Sequence, residues 1–109
     1  MDSGYTKEYA IKKAKELAFI LTKNGVKLHS VFLFGSFTNN ELVNHEWSDI
    51  DIALVSDNFS GSRFDDNKRI LPFVITVDPR IESHPFTLAD FENSPFARDE
   101  IVAKGIKIN

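Results

Sequence analysis

The chain contains no cysteine. That excludes a disulfide scaffold, a thiolate zinc site and a cysteine nucleophile together, and a reducing cytoplasm is the simplest setting for it. No run approaches the roughly 18 apolar residues of a membrane span. No charged-then-apolar leader with a small-residue cleavage site opens the sequence, so neither a membrane nor a secretory role is expected. Basic excess is absent too: 13 Lys and Arg face 16 Asp and Glu, for a formal charge of −3. A strong nucleic-acid footprint is therefore not expected. Repeats, low-complexity tracts and linkers are also missing.

What is present reads as one folded domain over residues 1–109. With 42% hydrophobic, 27% charged and 12% aromatic residues, the composition excludes a disordered chain, a collagen-like fibre and a coiled coil. The charge is uneven. Residues 1–28 hold six lysines against Asp2, Glu8 and Glu16, which leaves the rest of the chain net acidic. Those carboxylates either solvate a surface or gather to hold a cation.

The spacing predicts a helix over 6–24, with Thr6 as N-cap, Asn24-Gly25 at its end, and one apolar stripe of Ala10, Ala14, Leu17, Ala18 and Leu21. Its lysines fall mostly off the stripe and read as a solvated face. Val31-Phe32-Leu33-Phe34 reads as a buried strand ending at Gly35, and 37–47 as a polar loop. Asp49-Ile50-Asp51-Ile52-Ala53-Leu54-Val55 alternates as a second strand. Residues 57–70 are polar, with a helix expected near 63–70. Phe73–Val77 is expected to form a strand, extending past Pro79 toward Phe86. Ser94-Pro95 opens a helix through Lys104, and Ile106–Ile108 forms a last short strand. This order predicts an α/β or α+β fold with helices packed on one face of a sheet.

Two aspartates flanking one isoleucine are unusual, because strand interiors are depleted in Asp. Alternation puts Asp49 and Asp51 on one face, roughly 6–7 Å apart at Cα. Their repulsion is unfavourable without a cation between them, and Mg²⁺ or Mn²⁺ with oxygen ligands meets that need. On the pair alone, a solvated wet end of a sheet accounts for them at least as well. Gly35-Ser36, at the end of a buried strand, adds a backbone that a ligand can approach closely, with N–H groups and a hydroxyl suited to phosphate oxygens. It is not a Walker loop, and in isolation it is only a turn.

Together, Phe34-Gly35-Ser36 and Ser48-Asp49-Ile50-Asp51-Ile52 resemble the DNA polymerase β-like nucleotidyltransferase superfamily, and most of all its minimal domains. The resemblance covers nearly the whole chain. It implies a nucleotidyltransferase fold, a mixed β-sheet flanked by helices. It implies two divalent cations, Mg²⁺ or Mn²⁺, on Asp49 and Asp51, with Gly35, Ser36 and Ser48 binding a nucleoside triphosphate, ATP above all. The reaction implied is transfer of a nucleoside monophosphate to a hydroxyl, with pyrophosphate released. A third carboxylate from a neighbouring strand is also implied. Glu82 and Asp78 are the candidates. Pro79 cannot donate to a sheet ladder, which makes Asp78 a turn or edge residue. Glu82 precedes the expected helical turn at Phe86–Phe91, so it is preferred, and its competing role is a solvated charge beside Arg80.

The chain departs from the family where Arg and Gly commonly follow the Gly-Ser, because Phe37-Thr38-Asn39-Asn40 stands there. Arg63, Lys68, Arg69 and Arg80 are the cations left to take that contact, each more commonly a surface charge. His29, His45 and His84 are too far apart for a local metal motif and read as surface or loop residues. Trp47 reads as a packing residue before a base-stacking one. No hydrolase triad accompanies Ser36. So small a domain calls for a partner or an oligomer to supply the acceptor. By resemblance, that partner is a helical HEPN-type protein in a toxin–antitoxin pair. A catalytically inactive module that binds and neutralises a partner is the alternative, and transfer to a small hydroxylated molecule is a third reading.

Overall fold

Thr6 starts the first helix by accepting a hydrogen bond from Tyr9 N at 3.1 Å. The computed structural model of the chain describes residues 6–38 and 49–109. Helix α1 runs Lys7–Lys23, and all five residues of its expected stripe are buried. Asn24 caps it and Gly25, at φ 91°, turns the chain away in a conformation side chains resist.

Strand β1 (Leu28–Phe34) leads into a short 3-10 turn, Gly35–Thr38. Strand β2 (Ile50–Ser56) follows, then helix α2 (Arg63–Val77), strand β3 (Ile81–Phe86), helix α3 (Leu88–Glu92), a π-helical segment Ala97–Val102, and strand β4 (Ile106–Lys107). Ser94 opens that last helical segment as expected, its hydroxyl accepting from Ala97 N at 3.1 Å. The strand order is β3-β2-β1-β4. β1 pairs antiparallel with β2 and with β4, whereas β2 and β3 are parallel. A parallel pair needs a long crossover, and α2 supplies it.

The strand expected at Phe73–Val77 is the C-terminal part of α2, and the strand beyond it is confined to Ile81–Phe86. Burial explains the difference. Ile70 and Val74, four apart, are buried, and Phe73 and Val77, also four apart, pack beside them. Ile75 is 53% exposed. That is a period of about 3.6 rather than 2. Ser62 caps the N-terminus by accepting from Asp65 N at 3.3 Å. The helix continues through Pro72 despite the lost N–H, because packing of an apolar face outweighs local propensity.

The sheet is covered on both faces rather than one. Val31, Leu33, Ile50, Ile52 and Leu54 pack with the stripe of α1 and with Ile70 and Val74 of α2. On the other face, Phe32, Phe34 and Ala53 meet Ala97 and Ile101, with Phe86 and Phe91 against them. Asp51 shares the parity of Ala53, so it belongs to this second face, at the end where β1 stops.

Candidate active site

Antiparallel pairing sets Asp51 opposite Phe34, the last residue of β1. The next residue, Gly35, has φ 82°. A Cβ there would collide with Asp51 Oδ2 and lie 3.3 Å from its Cγ. Glycine at this point serves both requirements, the left-handed backbone and the space for the carboxylate. Ser36 follows in the 3-10 turn, half-buried. Phe37 then drops its ring fully into the core, and Thr38 Oγ1 donates to Gly35 O at 2.7 Å. The loop that carries Gly35 and Ser36 is thus anchored from beneath. Phe37 and Thr38, the described part of the segment that departs from the pattern, form this anchor.

Parallel pairing sets Glu82 directly beside Asp51. Their carboxylates and the His84 imidazole each present an atom within 4.8 Å of the others. Glu82 holds its proton above the ordinary carboxylate range. Loss of solvation is the first cause, repulsion from Asp51 and Asp49 adds to it, and His84 offsets part. Asp49 stands immediately before β2, exposed. It lies outside the close trio, but its charge reaches Glu82. Ser48, His45 and Trp47 fall outside the described residues.

Asp78, the alternative third acid, is engaged elsewhere. It is buried at the C-terminus of α2, where its Oδ2 accepts from Tyr9 Oη at 2.6 Å and its Oδ1 from Arg80 N at 2.8 Å. Its role is to join α1, α2 and the start of β3. Among the four cations considered for a nucleotide contact, Arg69 donates to Asn58 O at 2.8 Å and Arg80 lies 5.7 Å from the Phe37 ring centroid. Lys68 is exposed on α2. Arg63 alone of the four bonds a member of the trio, donating to His84 Nδ1.

His84 corrects the sequence reading. It is not a surface histidine: its side chain is 12% exposed, and Nε2 lies 3.1 Å from Asp51 Oδ1. Its parity with Glu82, two residues earlier on the same strand, was the available signal. His29, in contrast, is exposed as expected and pairs with Asp57 at 3.0 Å.

Oxygen donors from two adjacent strands, a carboxyl whose proton is held by lost solvation and by neighbouring negative charge, and a cradle that a Cβ would fill all suit a hard divalent cation. A mixed sheet carrying such a group beneath a glycine turn defines a phosphoryl-transfer domain of the nucleotidyltransferase type.

The family model described as "Polymerase beta, Nucleotidyltransferase" matches residues 15–109. The chain belongs to this family and is a nucleotidyltransferase. Its fold is similar to the crystal structure of a candidate nucleotidyltransferase from Sulfolobus solfataricus, with a TM-score of 0.64 at 20% identity, covering 92% of this chain and 87% of that one. No curated protein matches the chain. Among the described residues, no helix is long and apolar enough to cross a membrane.

Proposed function

We propose that the protein transfers a nucleoside monophosphate, AMP from ATP above all, to a hydroxyl group in a Mg²⁺-dependent reaction. The observation that carries this is the register Asp51–Glu82 beneath Gly35, which gathers oxygen ligands against a turn suited to phosphate. Asp51, Glu82 and, from the edge of the cluster, Asp49 would hold the cations. When bound, two such ions supply charge neutralisation for the triphosphate and ease deprotonation of the acceptor. Gly35 and Ser36 contribute backbone N–H groups and a hydroxyl to the phosphates. The acceptor oxygen bonds to the α-phosphorus, the bond from that phosphorus to the bridging oxygen breaks, pyrophosphate departs, and the hydroxyl proton passes to base.

The acceptor in this reading is a hydroxyl on a helical partner protein, in a cytoplasmic toxin–antitoxin pair. The exposed side of α1 and α2 supports docking of such a partner; it lies across the sheet from the Asp51 face, and the way round to the site is the β3 edge, where Arg63 of α2 reaches His84. Phe19 of α1 and Phe64, Leu71 and Ile75 of α2 are all more than half exposed. A groove beside them is lined by Ile11, Phe19 and Ile20, with Lys12, Lys15 and Lys23 interspersed with Glu8 and Glu16. An amphipathic helical surface with charges of both signs at its rim complements that face.

Incubation of the chain and its partner with ATP labelled at the α-phosphorus tests the proposal. Label should reach the partner in Mg²⁺, and Asp51→Asn should abolish transfer. Equal labelling by wild type and Asp51→Asn would sink it. Normal complex formation without label, in wild type and variant alike, would instead favour the inactive binding module.

A further inference from the structure

We propose that His84 is a positioning residue: Arg63 fixes its ring as the Nε2–H tautomer, and that N–H holds Asp51 Oδ1 in place while Oδ2 remains toward Gly35. The inference rests on the nucleotidyl-transfer reading for the use made of Asp51, and on hydrogen bonding alone for the contact.

A guanidinium has N–H donors and no acceptor. Because Arg63 Nη2 bonds His84 Nδ1, that nitrogen carries the lone pair. A neutral imidazole with its lone pair at Nδ1 has its proton at Nε2. Nε2 faces Asp51 Oδ1 at 3.1 Å, so the bond runs from ring to carboxylate. The Phe34 ring meets the imidazole edge-on, with centroids 4.9 Å apart, and limits its rotation. Arg63 is the first residue of α2, and β3 is an edge strand, so the guanidinium reaches His84 round the edge of the sheet. The three residues form a chain from the start of α2 to the carboxylate.

The direction of the bond has a chemical consequence. A nitrogen that carries a proton cannot donate its lone pair to a metal. His84 therefore stays outside the ligand set, although it lies within 4.8 Å of Asp51 and Glu82. The ligands from these strands remain carboxylate oxygens, the set that suits Mg²⁺ rather than a softer ion. Groups that orient a ligand in this way commonly alter metal affinity by about 10–100-fold.

Long-range ¹H–¹⁵N spectra of the full chain, with His84 assigned by its absence in His84→Gln, test the tautomer. The expected spectrum shows a protonated Nε2 and a bare Nδ1, unchanged by MgCl₂, with the Nδ1–H form gaining population in Arg63→Ala. Mn²⁺ affinity, read from the free-ion EPR signal, should fall about 10–100-fold in His84→Ala. His84→Gln, whose amide offers an N–H at the same reach, should recover most of that loss. A wild-type Nδ1–H tautomer, loss of the Nε2 proton on adding Mg²⁺, or a His84→Gln variant as weak as His84→Ala would each overturn the inference. A wild type that binds neither ion would overturn the nucleotidyl-transfer reading, and the tautomer spectrum would still decide the contact.

Discussion

Gly35 and Asp51 share a single space: the position a Cβ would occupy on Gly35 is filled by the carboxylate of Asp51 across the β1–β2 ladder. Gly35→Ala therefore forces both a strained left-handed backbone and displacement of the aspartate. It should cost about 1–3 kcal/mol of stability, and nucleotidyl transfer should fall further than the fraction of folded protein. Thermal melts alongside activity at a temperature where the variant is fully folded check this. Full activity with a lowered melting temperature would separate the turn from the site.

Glu82 supplies a pH prediction. Its pKa is higher in the folded chain than in the unfolded one. The folded state therefore binds this proton more tightly, and ionising Glu82 penalises folding above the folded pKa. The penalty vanishes below the unfolded value of about 4.3. Glu82→Gln should raise the metal-free melting temperature at pH 7, with the gain shrinking toward pH 4. Divalent-cation affinity of the wild type should strengthen as pH rises through the Glu82 titration, because the cation displaces the proton. Melts in EDTA across this range read the first effect, and an equal gain at pH 4 and pH 7 would contradict it.

Asp78→Asn distinguishes the two candidate third acids. Weakening the bonds from Tyr9 and Arg80 N should destabilise the fold by about 1–3 kcal/mol. Mn²⁺ affinity of the folded variant should stay at the wild-type level, whereas Glu82→Gln should lower it. Loss of affinity in Asp78→Asn would return that residue to the site.

Phe37→Ala tests the anchor beneath the phosphate loop. Removing a fully buried ring should cost about 3–5 kcal/mol, and Phe37→Leu appreciably less. In the folded fraction, Phe37→Ala should raise KM for the nucleotide more than it lowers kcat, because Ser36 loses its support. Chemical denaturation and steady-state kinetics read the two effects separately.

Much of the site was legible because strand parity is local. Asp49-Ile50-Asp51-Ile52 places Asp51 on one face wherever the strand lies, and Gly35 after four apolar residues marks a turn. The third acid was less legible. Sequence favoured Glu82 over Asp78 only through Pro79 and the following helical turn, whereas the β2–β3 register sets Glu82 beside Asp51 and Asp78 is bonded to Tyr9 and Arg80 N. The segment Phe73–Val77 was misleading. Its β-branched residues favour a strand in isolation, but Ser62 starts a helix ahead of them, and Ile70 and Val74 bury one helical face in the core.

Local chemistry alone settled the ends of α1, the alternation of β2 and the turn at Gly35, because each depends on residues a few positions apart, and the family pattern joined two such local motifs across one loop. The approach of Arg63 to His84 across 21 residues and of His84 to Asp51 across 33 came only from the tertiary fold. No periodicity encodes such contacts, since they exist only once α2 has crossed over and set β3 parallel to β2.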